Sequence, residues 1–163
     1  MLALRYVYVL ALVVWLGGMV VLGALVAPTT FDVLQMRDPA AGRALAGDVF
    51  GQTIARFHSV AYATGVLLLG TLVAMRLLGP KPAGFGIRCG IIAGMLAVTL
   101  FSGFVVLPRM EIDQQAAGRP ISELPASDSR RLEFEADHRF SERLMLLTIA
   151  GALVLLYWEA REK

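Results

Sequence analysis

Four long apolar runs constrain this chain more than any other feature. A helix crossing a bilayer core of about 30 Å needs about 20 predominantly apolar residues. Tyr6 to Ala27 carries no charge, Ser59 to Leu78 carries only Arg76 near its end, and Cys89 to Leu107 carries none. The fourth run, Leu144 to Trp158, is shorter. Its preceding turn, His138 to Arg143, must therefore enter the headgroup region, with Arg139 and Arg143 snorkelling outwards. The composition agrees: 57% hydrophobic and 17% charged, against about 45–50% and 25% in soluble domains. The expected fold is all-α, a polytopic membrane protein built as a four-transmembrane-helix bundle. It forms one domain, residues 1–163, with spans at about 6–27, 59–78, 89–107 and 140–158 and exoplasmic segments at 28–58 and 108–139. The first run is too long for a signal-peptide core, and Leu25 breaks the small-x-small pattern before Ala27, so the run is expected to stay as a span.

Four spans put both termini on one side, called side A. Its short segments hold six basic and two acidic residues, a net +4, and the longer side-B segments hold nine arginines and eleven acids, a net −2. The denser positive charge favours side A as cytoplasmic, with a bacterial inner membrane as the expected location. The lipid bilayer is the first partner. No basic, aromatic-interleaved patch accompanies the overall charge of +2, so nucleic acid is not an expected partner. The single cysteine, Cys89, lies in an apolar run and reads as a buried, inert thiol.

On side A, Gly79 to Gly84 is a tight Pro/Gly turn. Side B is richer. Asp38-Pro39 is a helix-start signal, and an apolar stripe of Leu45, Val49, Phe50, Ile54 and Phe57 predicts a helix running from Pro39 into the second span. Pro108 to about Ser127 reads as a polar loop broken at Gly118-Arg119-Pro120 and Leu124-Pro125. Ser127 or Asp128 then caps a helix continuing into the fourth span, with Phe134, His138, Ser141, Met145 and Thr148 on one face. The charges between Arg130 and Arg143 fit a solvated helix face. Small residues let membrane helices approach closely. Gly90-x3-Gly94 with Ala97, Ala61-x3-Gly65, and Gly17, Gly18 and Gly23 are candidates for packing inside the bundle, or for a homo-oligomer or larger membrane complex.

The only two histidines, His58 and His138, both fall at the side-B boundary, where Arg109 closes the third span. Ionisable groups near membrane depth are costly and so are functional candidates. Neutral imidazoles are ligands for copper, zinc or haem iron. Met110 and Met145 add soft thioethers for copper or another transition metal. The candidate metal ligands are thus His58, His138, Met110 and Met145, and the candidate ligand-binding residues are Arg109, Phe57, Phe134, Ser141 and Trp15. A haem b held between two histidines, with Arg109 on a propionate, is the alternative cofactor. No CxxC, HExxH, Gly-rich phosphate loop or nucleophile elbow is present, and no catalytic residue is assigned.

Trp15-Leu16-Gly17-Gly18-Met19, Phe57-His58-Ser59, Leu107-Pro108-Arg109 and the F-x3-H-x2-S-x2-L pattern from Phe134 through His138 and Ser141 to Leu144 recur in order across most of the chain. In them the chain resembles the transmembrane protein 205-like family of small four-helix membrane proteins of largely unassigned function. The resemblance implies the four-helix fold, a family role for His58, Arg109 and His138, and a link to metal-drug resistance. The architecture also looks like that of copper-resistance membrane proteins and of a haem-biosynthesis membrane oxidase, although the first span carries no histidine. Three functions follow as expectations: a protein binding or moving a metal ion or small solute at its exoplasmic mouth, a haem-binding membrane redox protein, or a non-catalytic structural subunit.

Overall fold

The computed structural model describes residues 2–39, 41–79, 82–116 and 121–161. Pro80-Lys81 of the side-A turn and the Gly118-Arg119-Pro120 break lie outside the described residues. The chain is a multi-pass membrane protein whose four long helices cover Leu2–Arg37, Gly42–Leu78, Phe85–Ala116 and Ser129–Arg161. At 1.5 Å per residue each is about 48–55 Å long, well beyond the bilayer core. All four therefore stand out of the membrane on side B.

The first and third helices are not uniform. The first is α1 (Leu2–Val21), a π segment (Leu22–Val26) and α2 (Ala27–Arg37), and the third is α4 (Phe85–Phe101), a π segment (Ser102–Val106) and α5 (Leu107–Ala116). The second helix is α3 (Gly42–Leu78) and the fourth is α6 (Ser129–Arg161). In each π segment the backbone N–H following it reaches back five residues, Ala27 to the Leu22 carbonyl and Leu107 to the Ser102 carbonyl. A proline, Pro28 or Pro108, comes next in the chain. Proline has no N–H and clashes with the carbonyl of a regular α-turn. Widening the preceding turn removes that clash, and the helix goes on.

This corrects two sequence expectations. The helix continues over residues 28–37, where none was expected before Pro39, and residues 108–116 are helical, where a polar loop was expected. The helix expected from Pro39 starts at Gly42, with Ala41 at its N-cap position, and side-chain bonds from two aspartates brace the starts of α3 and α6. The Asp38 carboxylate accepts the Ala41 N–H at the start of α3, and the Asp128 carboxylate accepts the Arg130 N–H at the start of α6.

The two helical hairpins correspond at a fixed offset of 80 residues. Gly23 and Gly103, Pro28 and Pro108, and His58 and His138 are each 80 apart, as are the two π segments. Buried positions match too: Tyr8, Leu12, Trp15 and Met19 of α1 stand against Arg88, Ile92, Met95 and Thr99 of α4. Leu68 and Leu72 of α3 stand against Thr148 and Ala152 of α6. One equivalent pair meets: the Arg88 guanidinium lies 4.8 Å from the centre of the Tyr8 ring. The halves thus pack about a pseudo-twofold axis along the membrane normal, since both hairpins enter from side A.

Helix α3 sits against both α1 and α4, and α6 closes the ring against the same two. The core is one cluster running the length of the bundle, with Tyr8, Leu12, Trp15, Leu68, Leu72, Ile92 and Leu155 fully buried. Of the small-residue devices, Ala61 and Gly65 serve inside the bundle, where a Cβ on Gly65 would press on the Trp15 ring and Leu96. Gly90 and Gly94 do not, because a Cβ on either would meet nothing. Exposed Leu, Val and Ile side chains cover the rest of the spans, as a lipid-facing surface requires.

Candidate functional site

In the side-B half of the bundle all four spans line a cavity of about 80 Å³. It holds more than one water-sized volume. Trp15, Met19 and Leu22 come from the first helix, His58 with neighbouring aromatics from α3, Thr99 and Ser102 from the third, and Ser141, Met145 and Thr148 from α6. Met19 and Thr99, Leu22 and Ser102, and Ala61 and Ser141 are equivalent pairs, so the cavity lies on the pseudo-twofold axis between the hairpins.

His58 is held in one orientation. Its Nδ1 lies 2.9 Å from the Ile54 carbonyl. A carbonyl only accepts, so Nδ1 carries the proton and, in the neutral ring, Nε2 keeps its lone pair. The ring also packs edge-on to Tyr62, with centres 5.9 Å apart. Glycines make this placement possible. A Cβ on Gly103 would collide with Tyr62 and His58, and one on Gly18 would collide with the Phe57 ring. Consecutive α3 residues thus lean on opposite neighbours, Phe57 on the first helix and His58 on the third.

The other polar groups differ in how far their own helices satisfy them. The Thr99 hydroxyl donates to the Met95 carbonyl at 2.8 Å, and the Thr148 hydroxyl to the Leu144 carbonyl at 3.0 Å. Trp15 is fully buried, yet its indole N–H has no partner among the described residues. An unpaired buried donor carries a desolvation cost of about 1–3 kcal/mol.

Of the residues singled out from sequence, Trp15, Phe57, His58, Ser141 and Met145 line this cavity. Arg109 instead lines, with Asp113 of its own helix and Glu133 and Asp137 of α6, an open groove on side B. His138 is exposed and pairs with Glu142 at 3.3 Å on its own helix. Phe134 and Met110 are half-buried and lie outside the cavity lining. No group of three His, Cys, Asp or Glu side chains suited to a metal ion occurs among the described residues. Met19, Thr99 and Ser102 were missed, although the 80-residue offset linking Gly23-x4-Pro28 to Gly103-x4-Pro108 was readable.

A second polar cluster, also unforeseen, lies at side A. The Arg88 guanidinium, fully buried, donates to Glu159 at 2.6 Å. Arg5 pairs with the other Glu159 carboxylate oxygen and donates to its backbone carbonyl at 2.9 Å. Glu159 is 6% exposed and Arg5 is 39% exposed.

A family model described as a domain of unknown function (DUF4149) matches residues 10–117. No curated protein and no solved structure matches the chain.

Proposed function

Because the chain belongs to this DUF4149 family, which carries no assigned activity, we propose from the cavity itself that the protein binds or moves a small solute or soft metal ion. The single observation carrying this reading is a partly open cavity shared by all four spans and lined by His58 together with Trp15, Met19 and Met145. An imidazole whose Nδ1–H is tied to a backbone carbonyl is the usual arrangement of a metal-binding histidine. The thioethers of Met19 and Met145 line the same space, and soft donors of this kind favour copper(I). The resemblance to transmembrane protein 205-like and copper-resistance proteins supports the same reading. His138, Met110 and Arg109 then belong to the approach from side B.

The cavity volume of about 80 Å³ argues against the haem alternative, since even drug-sized ligands occupy about 300 Å³ or more. The charge balance supports a bacterial inner membrane with side A cytoplasmic. A structural role in a homo-oligomer has one observation in its favour: Gly90 and Gly94 are exposed and open to a close-approaching helix.

Elemental analysis of the purified protein, with copper(I) titration against a chromophoric competitor, tests the reading. One ion per chain is expected, with binding lost in His58→Ala and weakened in Met145→Leu. Equal metal content in the wild type and His58→Ala would sink the metal reading. No bound metal, together with no small solute that raises the melting temperature, would sink the binding function as a whole.

A further inference from the structure

We infer that the Arg5–Arg88–Glu159 cluster is the closed side-A gate of a two-hairpin carrier, so that the cavity opens alternately to the two faces of the membrane. The inference rests on the cavity being where cargo sits, and not on which cargo it is.

Three observations carry it. First, the halves repeat at an 80-residue offset, with a π segment and a Gly-x4-Pro in the first helix of each. Carriers built from repeats hold cargo at the repeat interface, beside Gly/Pro-interrupted segments in corresponding positions of the two halves. Leu22 and Ser102, the first residues of the two π segments, both line the cavity. π segments are also frequent at functional sites.

Second, the cavity is closed towards side A by a dry layer. Leu12, Leu72, Ile92 and Leu155 are each 0% exposed. Third, the ion cluster covers that layer and joins the two hairpins. Arg5 belongs to the first, and Arg88 and Glu159 belong to the second. Tyr8 of the first hairpin also stacks on Arg88 of the second. From Arg88 to Val98 on the cavity wall, α4 rises about 15 Å.

The chemistry suits a latch. A buried ion pair gains little over its hydrated partners, because desolvation offsets the attraction. Parting the hairpins at side A would break the part-exposed Arg5–Glu159 pair and wet Arg88 and Glu159, which stay paired within the second hairpin, and hydration would replace most of what is lost. An ion cluster therefore holds the hairpins together without making separation prohibitive.

Thiol accessibility tests the gate without any ligand. Cys89 is the only cysteine, so Cys89→Ser with Val98→Cys leaves one reporter on the cavity wall. The probe is a membrane-impermeant methanethiosulfonate, applied to right-side-out and inside-out vesicles. In this background, slow labelling from side A is expected. Glu159→Gln should raise the side-A rate about tenfold or more and leave the side-B rate unchanged. Arg5→Ala removes the part-exposed ion pair that joins the hairpins but leaves Tyr8 stacked on Arg88, and should give a smaller rise, about threefold. Unchanged side-A labelling in both variants overturns the gate and makes the cluster structural only. An equal rise from both faces also overturns it, as general loosening of the bundle. If Glu159→Gln does not fold, the Arg5→Ala rate decides alone. A failure of copper(I) binding would leave this result standing, and the reverse also holds.

Discussion

The two hairpins share a backbone plan and divide the chemistry unequally. Each begins with a span that widens into a π turn before a proline and continues as a helix above the membrane. Each returns through a long helix with a histidine at the matching position. Yet His58 is tucked against the third helix, while His138 pairs with Glu142 at the surface. The first hairpin supplies Trp15 and His58 to the cavity, and the second supplies the hydroxyls of Thr99, Ser102, Ser141 and Thr148. At side A, Tyr8 of the first half meets its counterpart Arg88, and Glu159 corresponds to Gly79, which has no side chain. Repetition thus sets the architecture, and departures from it mark where a polar group has been placed for a purpose.

The largest expected effect falls on the most asymmetric position. Glu159→Ala should destabilise the protein by about 3–5 kcal/mol, because it leaves Arg88 as a buried charge short of its counter-ion. Thermal unfolding in detergent measures it, and Arg88→Leu in the same chain should recover much of the loss. An unchanged melting temperature in Glu159→Ala would mean that Arg88 relaxes to another partner.

The glycine pair gives the next contrast. Gly103→Ala should cost about 1–3 kcal/mol through overpacking, because the new methyl collides with Tyr62 and His58. At the equivalent Gly23 a Cβ meets only the flexible Met145 methyl at 3.4 Å. Gly23→Ala should therefore fall within about 0.5 kcal/mol of the wild type. Equal losses at the two sites would show that the π turn itself, and not the histidine packing, requires glycine.

The histidines sharpen the comparison further. His138→Ala should change stability by no more than about 0.5 kcal/mol, the scale of an exposed i,i+4 pair, and should leave copper(I) binding intact. A loss of binding like that of His58→Ala would move the site towards the side-B surface.

The smallest effect is a pH dependence confined to the second half. A hydrogen bond from Arg131 holds the Glu135 carboxyl below its ordinary value. A carboxylate with a lowered folded pKa adds stability above its unfolded pKa and loses it as pH falls through the folded value. The capped start of α6 should thus loosen slightly in acid, below the ordinary glutamate range, as seen by hydrogen exchange. The matching first-half position is Ala55, so α3 should show no such change there. The same loosening in Glu135→Gln would assign the effect to another group.

The number of spans, the side on which both histidines fall and the helix-start signals at Asp38 and Asp128 were all legible in the sequence. These properties depend on run length, charge and short-range hydrogen bonding, which a linear chain displays directly. The helices beyond Pro28 and Pro108 were not read, because a proline normally ends a helix and only the widened turn before it removes the clash. Nor could local pattern decide which histidine turns inward. His58 and His138 hold the same place in the repeat, and each has a glycine at the matching place on a neighbouring helix. His58 and Tyr62 pack on Gly103, whereas Met145 fills the space at Gly23 and His138 pairs with Glu142 at the surface. The side-A cluster is the clearest case. Arg5, Arg88 and Glu159 look like ordinary flanking charges at the ends of three different helices. Only the closing of the ring brings them together, with Arg88 and Glu159 out of water and Arg5 at the edge, both arginines meeting on the one carboxylate.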